Sequence, residues 1–287
     1  METQANPHKT VLVVMAHPDD ESFGMGGAIA YWDTQGVDVH LACATRGEAG
    51  TVDAEYLTKY ETIAELREAE LLCAADALGL KSVNFLEYRD SGMVGSEDNS
   101  RPEALVQAPL EQVAERIVVL IRRLRPQAVI TFDETGGYYH PDHIHIHKAT
   151  VAAFHAAGDA SQYPKAGQPY QPAMLYVNAR NRARLRRAVF LMRLLGKDPS
   201  KVGRNKDIDL TVLARDKDTP PHITINYRSV QARKDKADAC HASQGGGRFI
   251  GSNLLEIVAR WLGNKDRFTR IYPSTPDDYR STDLFAN

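Results

Sequence analysis

Short runs rich in β-branched residues alternate with longer helix-periodic segments through the first half of the chain, and this alternation limits the possible folds more than any other feature. Val11–Met15, Val37–Ala44, Val83–Leu86 and Ala128–Phe132 have the length and composition of strands, while Gly24–Gln35, Thr58–Leu78 and Leu110–Leu124 carry helical periodicity. Strand, helix, strand in that order predicts an α/β, Rossmann-like fold: a mostly parallel sheet flanked by helices, with ligands bound beyond the carboxyl ends of the strands. Polar residues just after a strand are therefore where chemistry is expected. A helix at His143–His155, a Pro- and Gly-marked loop over 158–172 and a strand at Met174–Val177 continue the pattern. Arg228–Ala242 and Asn253–Leu262 read as helices, and Phe268–Tyr272 as a last strand. We expect a Rossmann-like core over 1–180 and a C-terminal elaboration over 181–287 packed on it, the whole forming one continuous domain.

At 287 residues and 43% hydrophobic content, the chain can bury a large core and is not disordered or fibrous. Its formal net charge of −2 gives no global pull toward nucleic acid or an anionic membrane, so neither is expected as a partner. The polar start METQANPHKT leads into an apolar run too short to span a bilayer, which predicts a cytoplasmic protein with no integral membrane association. One local exception is Arg180–Lys206, with ten basic residues and a single acid, Asp198. Within it, Arg182–Leu195 sets Leu185, Ala188, Val189, Met192 and Leu195 at helical spacing, a stripe expected to dock on the core. Its arginines would then face either solvent or a cleft that takes an anionic group. Cys43, Cys73 and Cys240 are odd in number and show no CxxC spacing, so they are expected to be buried small hydrophobes rather than a disulfide framework or a zinc site.

The first strand is followed at once by Ala16-His17-Pro18-Asp19-Asp20-Glu21-Ser22, which packs one imidazole and three carboxylates into five residues. Like charges so close repel unless a cation lies among them. From such a turn His17 and Asp20 can reach one metal ion, leaving Asp19 free for proton transfer. A dinucleotide site competes for this position, but Gly24, Gly26 and Gly27 come too late and lack GxGxxG spacing. After the strand at Ala128–Phe132 comes Gly136-Gly137-Tyr138-Tyr139-His140-Pro141-Asp142-His143, continuing through His145 and His147. His143 completes a His-Asp-His set, with His145 and His147 as alternatives. Zinc and Fe(II) both accept imidazole and carboxylate, and three protein ligands leave room for water and substrate.

AHPDDES and HPDH, in that order and each after a strand, resemble the paired motifs of the PIG-L/LmbE-like metal-dependent de-N-acetylases. The resemblance covers about residues 10–157, and a weaker one extends to Lys236–Gln244. It implies a hydrolase that removes an acetyl group from an N-acetylglucosamine-type conjugate, with 1–180 as the catalytic core. Zinc is the implied ion, with ferrous iron as the alternative in the cell. His17, Asp20 and His143 correspond to the family's metal ligands, Asp19 to its general base and His140 to the histidine assisting at the amide. Asp142 is then the orienting partner of His140, and Tyr138 an oxyanion donor. Tyr139 stands where a small residue is more usual, which would narrow the pocket. Glu48, Arg67 and Asp90 fall where the family places hydroxyl-binding groups, although an Arg67–Glu70 pair at i, i+3 would be a mere surface contact.

An amide resists water, so the implied mechanism needs an ion that polarises the carbonyl and lowers the pKa of bound water from about 15.7 toward about 7. Asp19 would take the water proton, and a protonated His140, its charge favoured by Asp142, would steady the oxyanion or protonate the leaving amine. The expected partner is a small glycoconjugate; homo-oligomerisation is left open. Two other readings compete: a Rossmann-like nucleotide-binding or transferase protein with an incidental acidic loop, and an amidase acting on a non-sugar amide.

Overall fold

A computed structural model describes residues 8–179, 182–202, 208–247 and 263–286. The helix predicted at Asn253–Leu262 lies outside the described residues. In chain order the elements are β1 (Thr10–Met15), α1 (Asp20–Thr34), β2 (Asp38–Cys43), α2 (Ile63–Leu78), β3 (Ser82–Phe85), α3 (Leu110–Leu124), β4 (Ala128–Thr131) and α4 (Gly136–Tyr139). They continue with α5 (Pro141–Ala156), β5 (Met174–Asn178), α6 (Arg182–Leu194), α7 (Leu210–Leu213), β6 (Ile223–Asn226), α8 (Gln231–Cys240) and β7 (Lys265–Tyr272). The strands form one sheet in the order β3-β2-β1-β4-β5-β7-β6, parallel through β5 and antiparallel at both β5–β7 and β7–β6.

The parallel strands are apolar end to end because helices cover both of their faces: Val11 to Met15 and Ala128 to Ile130 are completely buried. Each expected strand is present, within two residues of its predicted ends except β7, which begins three residues before Phe268, at Lys265. The sequence reading missed β6, a four-residue edge strand whose partner β7 lies far along the chain. The helix expected from Thr58 starts later, at Ile63, where Thr62 accepts from the Glu65 amide as an N-cap. Residues 54–59 form a separate 3₁₀ turn. In α1, Met25 leaves helical geometry (φ −157°), and the Asp266 carboxylate of β7 accepts from the Ala28 amide at 2.7 Å.

Helix α6 keeps only part of its expected stripe. Val189 is buried and Leu185 and Met192 are half-buried, but Ala188 and Leu195 face solvent. Its first residue, Arg182, is buried against Asp216 (3.2 Å), which ties the helix to the segment after α7.

The cysteines depart from expectation. Cys43 is buried and free, but Cys73 on α2 and Cys240 at the end of α8 form a disulfide across 167 positions. Helix α8 packs against α2, bringing the two Cα atoms to 5.8 Å. Without a CxxC spacing, only this tertiary contact reveals the pair. Denatured, unreduced protein is therefore expected to alkylate at one thiol per chain and reduced protein at three, and Cys73→Ser should cost about 2–4 kcal/mol in urea unfolding. Three reactive thiols without reductant would contradict the pairing.

Candidate active site

Strand β1 lies between β2 and β4, so the connections leaving β1 and β4 diverge to opposite sides of the sheet. A crevice opens at such a switch point, and both motifs line it. His17 follows β1 after one residue, and the β4 connection runs through the short α4 into α5. His140 is the N-cap of α5, its Nδ1 accepting from the Asp142 amide at 3.2 Å, and Pro141 opens the first turn. Gly136 sets the approach. At φ +58° its carbonyl accepts from His143 Nδ1 at 2.9 Å, and a Cβ there would sit 2.7 Å from His143 Cβ.

His17 Nδ1 lies 3.1 Å from His143 Nε2 and 3.6 Å from Asp20 Oδ2, and His143 Nε2 lies 3.4 Å from Asp20 Oδ1. The other edge of each ring has its own acceptor. His17 Nε2 meets Asp142 Oδ2 at 3.1 Å and Asp90 Oδ1 at 3.3 Å, while His143 Nδ1 meets the Gly136 carbonyl. His143 also stacks on Phe132, with ring centroids 4.0 Å apart. Two wider groupings share these atoms, one adding His140 to the two imidazoles and one joining His17 to Asp90 and Asp142. In the second, the carboxylates face the Nε2 edge of His17, the edge that holds the ring from behind.

The charges are set by this crowding. Burial works against an imidazolium at His17, yet Asp90, Asp142 and Asp20 together raise its pKa well above the usual value. Burial likewise opposes ionisation of Asp20 and Asp90, but the neighbouring imidazoles, led by His143 at Asp20 and by His17 at Asp90, keep both well below the ordinary range. Asp19 is different. Burial, only partly offset by Arg67, pushes it up to about 6. His140 falls to about 3, first through burial and then through repulsion from His17 and His143. Burial and the nearby Asp20 also keep the Tyr138 phenol protonated.

The contacts alter several expected roles. The Asp142 carboxylate does not reach His140; it accepts from the Ser91 amide at 2.9 Å and meets His17. Its negative charge does favour a cationic His140, but burial and the two other imidazoles outweigh it. Tyr139 does not narrow the pocket, because its hydroxyl reaches outward to Asp216 at 2.7 Å. His147 turns to the Phe132 carbonyl at 2.8 Å and His145 lies half-buried toward Ala108, so neither joins the cluster. Arg67 and Glu70 are both buried and serve different partners. Arg67 donates to Asp19 Oδ2 at 3.0 Å and to the Pro18 carbonyl. Glu48 accepts from the Asp90 amide at 3.0 Å and is absent from the cleft lining, whereas Asp90 itself lines the cleft.

The cleft measures about 650 Å³ and includes His17, Asp19, Arg67, Asp90, Tyr138 and His140 in its walls. Among the described residues, none of α6 lines it. The sequence reading missed Phe23, Met93, Val94 and Ile208 at its rim, since nothing but tertiary folding marks them. Gln244, at the end of the late segment that resembles the family, also lines it. Beneath the cleft, Glu21 and His241, both fully buried, pair at 2.8 Å. Against the burial cost, each holds the other charged, with Glu21 below and His241 above its ordinary pKa. Glu21 also accepts from the backbone amide of Asp19 at 3.0 Å. Asp19 needs such support, since its φ of +118° is a conformation costing a non-glycine residue about 1–3 kcal/mol.

Residues 12–154 match the family model described as PIG-L: GlcNAc-PI de-N-acetylase. A protein of Rhodococcus erythropolis named 1D-myo-inositol 2-acetamido-2-deoxy-alpha-D-glucopyranoside deacetylase is 35% identical over 250 residues, 82% of this chain and 81% of its own. One of the same name from Geodermatophilus obscurus is 34% identical over 98% of both chains. Among solved structures, the N,N'-diacetylchitobiose deacetylase of Pyrococcus horikoshii superposes with a TM-score of 0.61 at 19% identity, covering 92% of this chain and 84% of that one. The 4-carboxy-2-hydroxymuconate hydratase of Pseudomonas putida superposes almost as well, at 0.58 and 20% identity, over 93% and 98%. Likeness at that level carries the fold, and side chains must carry the chemistry.

The His143 geometry can be probed directly. Gly136→Ala is expected to lose about 1–3 kcal/mol of stability in urea unfolding, through positive φ and the clash with His143. An unchanged midpoint would contradict the close approach.

Proposed function

The chain belongs to the PIG-L family of GlcNAc-PI de-N-acetylases, and on that premise we propose how its own residues carry out the hydrolysis. The protein removes the acetyl group from the amide of an N-acetylglucosamine conjugate, releasing acetate and the free amine. The substrate we propose is the one for which its relatives are named, a 2-acetamido-2-deoxy-glucopyranoside of myo-inositol. The family affiliation and the cluster disfavour a nucleotide-binding protein, and the glycoside-named relatives disfavour a non-sugar amidase.

His17 Nδ1, Asp20 and His143 Nε2 would hold a divalent ion, zinc or ferrous iron. The observation that carries this is their spacing. Four-coordinate bonds of about 2.0–2.1 Å imply ligand atoms about 3.3 Å apart; the two imidazole nitrogens lie 3.1 Å from each other, with one Asp20 oxygen 3.4 Å from His143 Nε2 and the other 3.6 Å from His17 Nδ1. The donor set suits such an ion, and acceptors behind both rings fix which nitrogen faces it. When bound, the ion supplies Lewis acidity to the amide carbonyl and to water.

Asp19 takes the water proton and returns it to the departing nitrogen. Arg67 holds its carboxylate at 3.0 Å, and a pKa raised to about 6 leaves it ionised yet basic at neutral pH. His140 acts as a neutral donor rather than an imidazolium. Its Nδ1 already accepts from the Asp142 amide, so the single proton sits on Nε2, available to the developing oxyanion. The Tyr138 phenol, on the same cleft wall, is a second donor. Asp142 and Asp90 orient His17, and Asp90 keeps an edge on the cleft for a sugar hydroxyl, as does Arg67. Glu48 acts one step back, through the Asp90 amide.

Purified protein is expected to carry one divalent ion per chain by elemental analysis and to release amine from GlcNAc-inositol. His143→Ala should lose the ion; full metal content in that variant would refute the ligand set. Asp19→Asn should keep the ion while turnover falls about 10²–10⁴-fold. Near-normal turnover by the loaded variant would overturn the base assignment. Since the base must be ionised, activity should be near full well above pH 6, half-maximal near pH 6 and lost as pH drops further. An acid limb that persists in Asp19→Asn would assign that titration elsewhere.

A further inference from the structure

Asp19 is gripped twice, and only one grip belongs to the cleft. Arg67 of α2 holds the carboxylate. The backbone is held from below, where Glu21 Oε2 accepts from the Asp19 amide, and Glu21 Oε1 accepts from Ser22 Oγ at 2.6 Å and from His241 Nε2 at 2.8 Å. A carboxylate can only accept, so His241 Nε2 carries a proton and donates it. Among the described residues, the other ring nitrogen of His241 is buried without a partner and Glu21 is the hydrogen-bond partner of the ring.

The position of His241 is itself over-determined. Cys240 is bonded to Cys73 of α2. Two residues beyond His241, Ser243 gives its amide (2.8 Å) and hydroxyl (2.7 Å) to the two oxygens of Glu70. Glu70 stands one turn beyond Arg67 on α2. A closed ring of contacts therefore runs from Asp19 through Arg67, α2, Glu70, Ser243, His241 and Glu21 back to the Asp19 amide.

We propose that His241 is a positioning residue for the hydrolysis: by donating to Glu21 it holds the Asp19 backbone in its left-handed conformation and so keeps the Asp19 carboxylate directed at the water. This rests on the reading of Asp19 as the base. A left-handed aspartate released from its acceptor relaxes toward ordinary backbone geometry, which swings the carboxylate away from the reacting atoms. A displacement of that kind acts on turnover rather than on substrate affinity. His241 is not itself in the cleft wall, which it meets through an edge-on contact with the Phe23 ring (5.8 Å between centroids), and it touches none of the three ligand side chains, so ion content should not follow it.

The test compares His241→Gln, whose amide nitrogen reaches as far as Nε2, with His241→Leu, which fills the space without a donor. His241→Asn, whose amide stops short of Glu21, replaces the leucine variant should the latter not fold. In folded, ion-loaded protein the leucine or asparagine variant is expected to lose about 10–100-fold in kcat with KM and ion content near wild type, and glutamine to restore most of the turnover. The amide proton resonance of Asp19, shifted downfield by its carboxylate acceptor, should move upfield in the leucine or asparagine variant and return in glutamine. Wild-type kcat without a donor, equal losses in all variants, or an Asp19 resonance indifferent to them would overturn the proposal. The resonance reports on the contact even in a protein that releases no amine, so a failure of the deacetylase reading and a failure of the clamp are told apart.

Discussion

Buried charge must be balanced by opposite charge close at hand, and the whole architecture of the cleft follows from that requirement. Asp19, Asp20, Asp90 and Asp142 converge with His17, His140 and His143 around the switch point between β1 and β4. Left uncompensated, such a set would be costly to bury. The protein resolves it by giving nearly every member a fixed neighbour: Arg67 for Asp19, Asp142 and Asp90 for the outer edge of His17, the Gly136 carbonyl for the outer edge of His143. What these contacts leave inward is a pair of imidazole nitrogens and one carboxylate, the place for a cation. The same crowding separates the two acid–base groups, raising the pKa of Asp19 to about 6 and holding His140 neutral with a single N–H, so each is in the form that its role requires.

How much of this was legible in the sequence follows from how local each feature is. His17, Asp19 and Asp20 sit on one turn after one strand, so their convergence can be read from five residues. Placing His143 beside them needs only the parallel order of β1 and β4, which the strand–helix alternation implies. Where a side chain points is a different matter. The Asp142 carboxylate turns to His17 rather than to its neighbour His140, and Tyr139 turns outward to Asp216, because partners from distant loops decide those directions. Arg67 and Glu70 look like a surface pair at i, i+3 until α8 and the β1 loop are packed over them. The Cys73–Cys240 bond and the Glu21–His241 pair span most of the chain and leave no spacing signal at all.

The fold itself says little about the reaction. A hydratase and a deacetylase superpose on this chain with nearly equal scores and nearly equal identity. What distinguishes a deacetylase reading is the pairing of a His-Asp-His cluster with a free, elevated carboxylate 3.0 Å from an arginine, on a cleft whose walls also carry a neutral histidine and a protonated tyrosine. Among the described residues, the basic helix α6 contributes none to those walls. Its first arginine is spent on Asp216 and its third, Arg186, on Asp218, contacts that tie the helix to the segment following α7.

The central claim is that two imidazoles and one carboxylate of this cluster hold the ion, with His140 remaining outside as a donor. X-ray absorption spectroscopy of the zinc-loaded protein tests it most directly, because outer-shell scattering counts imidazoles and the inner shell separates nitrogen and oxygen from sulfur. The account predicts two imidazoles in a shell of nitrogen and oxygen ligands at about 2.0–2.1 Å. Three imidazoles, which would draw His140 into the shell and remove it from catalysis, or a sulfur at about 2.3 Å, would contradict it.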